Sequence, residues 1–243
     1  MSEIFLNPPL QEAVCELRFE SKNWDPTIPG ILYSLIESDF PKRESVQEGK
    51  VEFFIDPRVK QDPKISHSEN EFPKFSNEEG NIFAVFRKNL VSIHHIKPYT
   101  NWNDFLSKIK LVFEKYSEVA VPTKLSRIGL RYINKISIPV DGYIFSDYFN
   151  MVQSPLSGII DEESIVAIQN GVLFNDAENL IKMQFASLNK NEEKVEYILD
   201  IDYFLTNPSG SENIDNWLAR AHDKIESIFL GSIKEKTKEL FLS

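Results

Sequence analysis

The sequence predicts an α+β fold: two tandem β-α-β-β-β-α units whose strands join into one curved antiparallel sheet, with the helices on one side of it. Three observations carry this reading. Leu17-Arg18-Phe19 is echoed by Leu130-Arg131-Tyr132 (130 − 17 = 113). Pro26 and Pro139 each precede a helical pattern at the same offset (139 − 26 = 113). Phe105 and Trp217 open two long amphipathic stripes at nearly the same spacing (217 − 105 = 112). One spacing held across strand, turn and helix is the mark of an internal duplication. The halves divide at residues 1–122 and 123–243 and together make one pseudo-symmetric domain. Joined edge to edge, they form a sheet that is saddle-like when open; a closed version is a tunnel or a helix-grip cavity.

Each element follows from its own pattern. Residues 13–20 alternate, with Ala13, Cys15, Leu17 and Phe19 in one phase and Glu16, Arg18 and Glu20 in the other, which predicts a half-buried strand. Ile28, Ile31, Leu32, Leu35 and Ile36 follow helical spacing, and Pro29 falls in the tolerated first turn. Val51–Asp56 reads as a strand, and the proline-punctuated stretch 57–79 reads as mostly loop. Ile82–Arg87 and Leu90–Ile96 flank Lys88-Asn89 as a hairpin. Asn101 then caps a helix carrying Trp102, Phe105, Ile109, Val112 and Tyr116. In the second half a strand over Arg127–Ile138 leads through Pro139 to a short helix over 143–149. Strands follow at Ser164–Gln169, 171–174, Leu180–Leu188 and Lys194–Leu205, and Ile214, Trp217, Ala221, Ile225 and Phe229 mark the last long helix. Beyond Ser232, Ile233, Leu240 and Phe241 form an apolar stripe expected to project and dock a second subunit, giving a homodimer.

Composition removes several classes of function. The hydrophobic content of 42% is ample for a core, and a net charge of −10 repels phosphate backbones, so nucleic acid is an unfavoured partner. The single cysteine, Cys15, rules out an internal disulfide framework and a cysteine-rich zinc site, and its strand neighbours make it a buried, inert thiol. No apolar run approaches the ~18 residues of a membrane span, and the acidic start leading into Pro8-Pro9 is unlike a signal peptide, so a cytoplasmic location is expected. Nine glycines without a phosphate-binding loop, and no Gly-x-Ser-x-Gly or His-Glu-x-x-His, leave no familiar catalytic motif.

Candidate site residues lie in the polar phase of the strands. Arg127 and Arg131 share a strand face with Gly129 between them, a spacing at which two guanidinium groups can grip an anion. Glu16 and Arg18 occupy the same phase of the duplicate strand, so Arg18, Arg127, Arg131 and Glu16 form the candidate ligand-binding set. Pairing of the arginines with Glu16, Glu20 or Asp200 is the competing role. Asp200 and Asp202 lie two apart on a strand, about 7 Å from one another, close enough to hold a magnesium ion with phosphate ligands. His94 and His95, adjacent on a strand, point to opposite faces and cannot share a metal.

Taken together, Asn7-Pro8-Pro9-Leu10-Gln11-Glu12-Ala13, Glu16-Leu17-Arg18-Phe19, Ile96-Lys97-Pro98-Tyr99-Thr100-Asn101-Trp102 and Arg127-Ile128-Gly129-Leu130-Arg131-Tyr132-Ile133-Asn134 resemble a family of uncharacterised prokaryotic proteins of about 250 residues. Trp217, His222 and Phe229 complete the match, which spans nearly the whole chain. The resemblance implies sporadic distribution, of the kind expected for mobile or defence-associated loci, and carries no established activity. The expectation is a binding or regulatory module of a defence or toxin–antitoxin-like system, with a protein partner or self-association and no cofactor. The alternative is a metal-dependent phosphate-processing enzyme with a triphosphate-tunnel-like cavity and magnesium on Asp200 and Asp202.

Overall fold

The computed structural model describes residues 5–20, 25–52, 64–151, 169–210 and 213–242. Over these residues the chain forms β1 (Leu10–Glu20), α1 (Ile28–Ile36), β2 (Lys42–Glu52), β3 (Lys64–Ser76), β4 (Ile82–Arg87), β5 (Leu90–Ile96) and α2 (Trp102–Ala120). It continues with β6 (Lys124–Pro139), α3 (Phe145–Tyr148), β7 (Gln169–Asp176), β8 (Asn179–Lys190), β9 (Lys194–Thr206), α4 (Ile214–Ser232) and α5 (Glu235–Glu239). The strands hydrogen-bond in the order β2-β3-β4-β5-β1-β6-β9-β8-β7. The fold is α+β with a large antiparallel sheet. Among the described residues its two ends, β2 and β7, are not paired with each other, so the closed alternative, a tunnel or helix-grip cavity, is not what forms: closing a sheet requires its first and last strands to exchange hydrogen bonds.

The largest departure from the sequence pattern is the stretch expected to be loop. β2 begins at Lys42, well before Val51, and β3 runs through much of the region between 57 and 79. These two strands pair from Lys42↔Ser76 to Glu52↔Lys64, with an irregularity between Gln47 and Gly49. A ladder of main-chain bonds does not need an apolar face, so polar strands escape a search for hydrophobic alternation. Pro73 is tolerated because, among the described residues, the β3–β4 pairing runs from Lys74 to Ser76, just past the residue that lacks an N–H. The expected strand residues Phe53–Asp56 and Ser164–Ile168 lie outside the described residues.

Two compact lobes partition the chain. The first comprises Glu12–Leu130 and Phe204–Asn213; the second comprises Met1–Gln11, Arg131–Tyr203 and Ile214–Ser243. In the first lobe, Ala13, Cys15, Leu17 and Phe19 are buried as the alternation predicts. α2 covers them with Phe105, Ile109, Val112 and Tyr116, and the Tyr116 ring stacks on Phe19 at 5.0 Å. Its start is fixed by Asn101, whose Oδ1 accepts the N–H of Asp104 at 2.9 Å. Its end falls at Val121, before Pro122. Tyr33, Phe75 and Phe86 extend the aromatic core under α1.

The second lobe is built around Phe145, Phe149, Phe185 and Tyr197, with Phe185 stacked on Tyr197 at 5.0 Å. α4 buries Trp217, Leu218, Ala221, Ile225 and Phe229. After it the chain turns back on itself. Ile233 forms an isolated bridge with Phe149, and Phe241 packs between Phe229 and Phe5. Ile233 and Phe241 are buried by their own lobe, so the tail does not project the apolar stripe expected to receive a second subunit. No described helix is long and apolar enough to cross a membrane.

Candidate functional site

The polar phase of the strands places the candidate residues on the side away from the helices, and each lobe gathers its own set. In the first lobe, Glu16 is the centre. Arg18 Nε donates to its Oε1 at 2.8 Å, and Arg127 Nη1 donates to the same oxygen at 2.6 Å. The Arg127 guanidinium also lies 4.5 Å from the centre of the Phe204 ring. Gly129 makes this possible: a Cβ there would sit 2.5 Å from Arg127 Nη1, so the guanidinium occupies the space a side chain would take. Two cations share one carboxylate, and Arg18, with its side chain 52% exposed, is the accessible one.

A second row in the same lobe crosses five strands. Glu44 pairs with Lys74 at 2.8 Å, Lys74 Nζ lies 4.5 Å above the Phe83 ring, and Phe83 stacks on His94 at 4.6 Å. His94 in turn donates from Nδ1 to Glu12 Oε1 at 2.7 Å and meets Ser92 Oγ through Nε2 at 2.9 Å. Directly opposed cross-strand pairs place Phe83 against His94 and Glu44 against Lys74. Arg87 lies 4.4 Å over Phe72 nearby. Aromatic rings on this side of the lobe are thus held beneath cations.

In the second lobe, Arg131 grips Asp200 through both of its oxygens, Nε to Oδ1 at 2.7 Å and Nη2 to Oδ2 at 2.6 Å. The expected carboxylate pair therefore has one member already engaged by a guanidinium. Asp202 is half-buried two residues along. Among the described residues no group of three or more His, Cys, Asp or Glu side chains is arranged to hold a metal ion. Glu196, in phase with Asp200, is held by Lys194 at 2.7 Å, Lys135 at 3.0 Å and the Ser137 hydroxyl at 3.2 Å. The hydrogen bond from Lys194, with that from Lys135, holds its carboxyl down to about 2.

That depression gives a prediction of definite sign. A carboxyl lowered in the folded state adds stability that is complete above its unfolded value near 4.5 and is lost as pH falls towards 2. Lys135 and Lys194 are 35% and 45% exposed, so screening reduces the effect to on the order of 1–2 kcal/mol. In urea titrations Glu196→Gln should be less stable than the wild type by that amount at pH 6, and the gap should close by pH 2.

The remaining residues of the central block have structural partners as well. Tyr132 Oη and His222 Nδ1 share a 2.7 Å hydrogen bond beneath α4, and Asn134 Nδ2 donates to Leu199 O at 3.3 Å. His94 and His95 face opposite ways as expected. His95 is wholly buried against Tyr99 and Phe105, where its Nε2 accepts the N–H of Thr100 at 3.4 Å. Burial lowers the pKa of His95 and of His222, which keeps both imidazoles neutral near pH 7. Tyr99 and Trp102 are half-buried at the start of α2, with Trp102 edge-on to Phe105 at 6.3 Å.

An open cleft of about 600 Å³ lies in the first lobe beside Asp39, Asn77, Glu79, Asn81, Asp104 and Lys108. Its polar groups are committed to local structure. Asp39 accepts from Lys108 at 2.5 Å, Glu79 from Asn77 at 2.9 Å, and Asp104 from Asn101 at 2.7 Å. The Lys108 hydrogen bond holds Asp39 below the usual carboxylate range.

Sequence reasoning singles out Glu16, Arg18, Arg127, Arg131, Asp200 and Asp202; the structure joins Arg18 and Arg127 to Glu16 and Arg131 to Asp200. It missed Phe204 and the row through Phe83 and His94. Strand parity alone could have aligned Lys135 with Arg127 and Arg131, because all three share one phase of β6. A scan against protein-family models finds no match to the chain, and a comparison with curated proteins finds none either.

Proposed function

We propose that this protein is a binding module built by internal duplication, which recognises a carboxylate-bearing protein segment through the side of its strands away from the helices. The observation that carries the proposal is the set of rings held beneath cations in the first lobe: Phe83 under Lys74, Phe72 under Arg87 and Phe204 beside Arg127. Arginine and aromatic side chains are the residue types that dominate the energetics of protein interfaces, and side chains ordered in advance lose less entropy on binding. Each lobe also brings two cations together on one carboxylate: Arg18 and Arg127 meet at Glu16, and Lys135 and Lys194 meet at Glu196. An acidic partner segment would meet these cation pairs, with Arg18 52% exposed, whereas nucleic acid would meet the repulsion of a chain of net charge −10.

Strand order and helix length support the duplication. β1 neighbours β5 and β6 neighbours β9, the last strand of each half, with β4-β3 and β8-β7 following outward. α2 and α4 are both 19 residues long and start 112 positions apart (214 − 102 = 112). Among the described residues the first half has one strand more than the second, β2, which lies outside β3. Membership of the sporadically distributed prokaryotic family, and with it a role in a defence or toxin–antitoxin-like system, is part of the same proposal.

The test is native mass spectrometry of the protein purified from its own host without chelation, comparing wild type with Arg18→Glu and Lys194→Glu. A co-purifying chain whose retention falls at least tenfold in either variant supports the module. A retained metal ion or nucleotide without a partner chain overturns it in favour of phosphate chemistry, and so does a partner held equally well by both variants.

A further inference from the structure

We infer that β7 is a self-association edge, at which a second copy of this chain adds its own β7 antiparallel about a twofold axis through Leu173. The inference uses a surface separate from the cation-rich strand side and stands independently of that reading. β7 ends the strand order, so one side of it offers main-chain N–H and C=O groups with no neighbouring strand among the described residues. Three consecutive apolar residues on it are exposed: Val172 by 49%, Leu173 by 61% and Phe174 by 38%. Because successive strand residues point to opposite faces, the edge is apolar on both sides at once.

The two ends of the sheet differ in a way that identifies the occupant. β2 carries Lys42, Arg43 and Glu44 and an irregular register between Gln47 and Gly49, the features that keep an edge from accepting another strand. β7 has no charged residue from Gln169 to Asn175 and a regular register throughout its pairing with β8. Two copies, each of net charge −10, repel over most approaches, and a neutral strand is where that repulsion is least. A strand edge is also self-complementary under a twofold, as a homodimer contact must be.

The sequence of β7 fits that operator. With Leu173 opposite Leu173 of the second copy, Val172 falls opposite its Phe174, a β-branched–aromatic pair repeated on both sides of the axis. Gly171 then faces Asn175, and Asn170 faces Asp176, whose carboxylate is engaged by Tyr203 and Lys224 in its own chain. No like charges meet. A contact confined to strands of this length is smaller than a standard interface of ~1,600 Å², so the dimer should dissociate in the micromolar range.

Sedimentation equilibrium of the full chain over about 1–100 μM tests this, with the monomer at 28.1 kDa as reference. A dimer is expected to predominate at the upper end, and Leu173→Lys should raise its dissociation constant at least tenfold without altering the far-ultraviolet circular dichroism. Ile31→Lys, at an exposed apolar residue of α1 in the first lobe, should leave it unchanged. Leu173→Cys should form an interchain disulfide on mild oxidation, since paired strands bring opposed Cα atoms to about 5.5 Å, while buried Cys15 stays silent. A wild type monomeric at 100 μM overturns the inference. So does a dimer indifferent to Leu173→Lys, a dimer with no cross-link through position 173, or a β7 that binds only a different chain.

Discussion

Replacing Trp217 by alanine is expected to cost about 3–5 kcal/mol of folding stability, the range for removing a fully buried aromatic side chain. Trp217 is wholly buried in α4, its ring lies 5.6 Å from Tyr203, and its Nε1 donates to Asn179 Oδ1 at 2.8 Å. Asn179 closes the turn from β7 into β8, and Tyr203 donates from its hydroxyl to Asp176 Oδ2 at 2.9 Å on the other side of that turn. One indole therefore ties the helix to a hairpin and to β9. Trp217→Phe should cost less, about 1–2 kcal/mol, because it keeps most of the ring contact and loses the hydrogen bond. Urea denaturation of both variants checks this; equal losses would mean that the bond to Asn179 carries the contribution and ring volume does not.

Neutralising Glu16 should produce the next largest effect. Glu16→Gln removes the charged oxygen to which the Arg127 guanidinium, whose side chain is only 15% exposed, donates at 2.6 Å, and releases Arg18 from its 2.8 Å contact. Separating a partly buried charge from its partner is expected to cost about 2 kcal/mol, less than the full penalty of a sealed ion pair because solvent reaches this side of the lobe. Arg127→Met in the same background should recover part of that loss, since the guanidinium that met Glu16 is then gone. A double-mutant cycle measures the coupling, expected at about 1–2 kcal/mol. Additivity within error would show that Arg127 is held by the Phe204 ring and its remaining contacts rather than by Glu16.

The strands that alternate apolar and polar residues, β1, β5, β6 and β9, were legible in the sequence because one of their faces is buried and the hydrophobic period records it, and β4 was legible as a short apolar run before the Lys88-Asn89 turn. Both 19-residue helices were legible for the same reason, and Asn101 marked where α2 begins. β2 and β3 were not, because their pairing is made by main-chain groups that every residue carries. The short helix α3 kept only four residues of the span from 143 to 149. The C-terminal stripe was read correctly as apolar but assigned to a second subunit, since a sequence records that Ile233 and Phe241 need cover and not who supplies it.

The same division holds for the candidate residues. The sequence by itself determined which charged groups share a strand face: Glu16 with Arg18, Arg127 with Arg131, Asp200 with Asp202. It also established that Gly129 leaves room between two arginines. Tertiary structure alone decided the partners, sending Arg127 to Glu16 and Phe204 and Arg131 to both oxygens of Asp200. The physical reason is range. Side-chain phase is set within two residues along a strand, whereas an ion pair or a cation over a ring depends on which strand lies alongside and in what register. Those are fixed by cooperative pairing between segments as distant as β1 and β6.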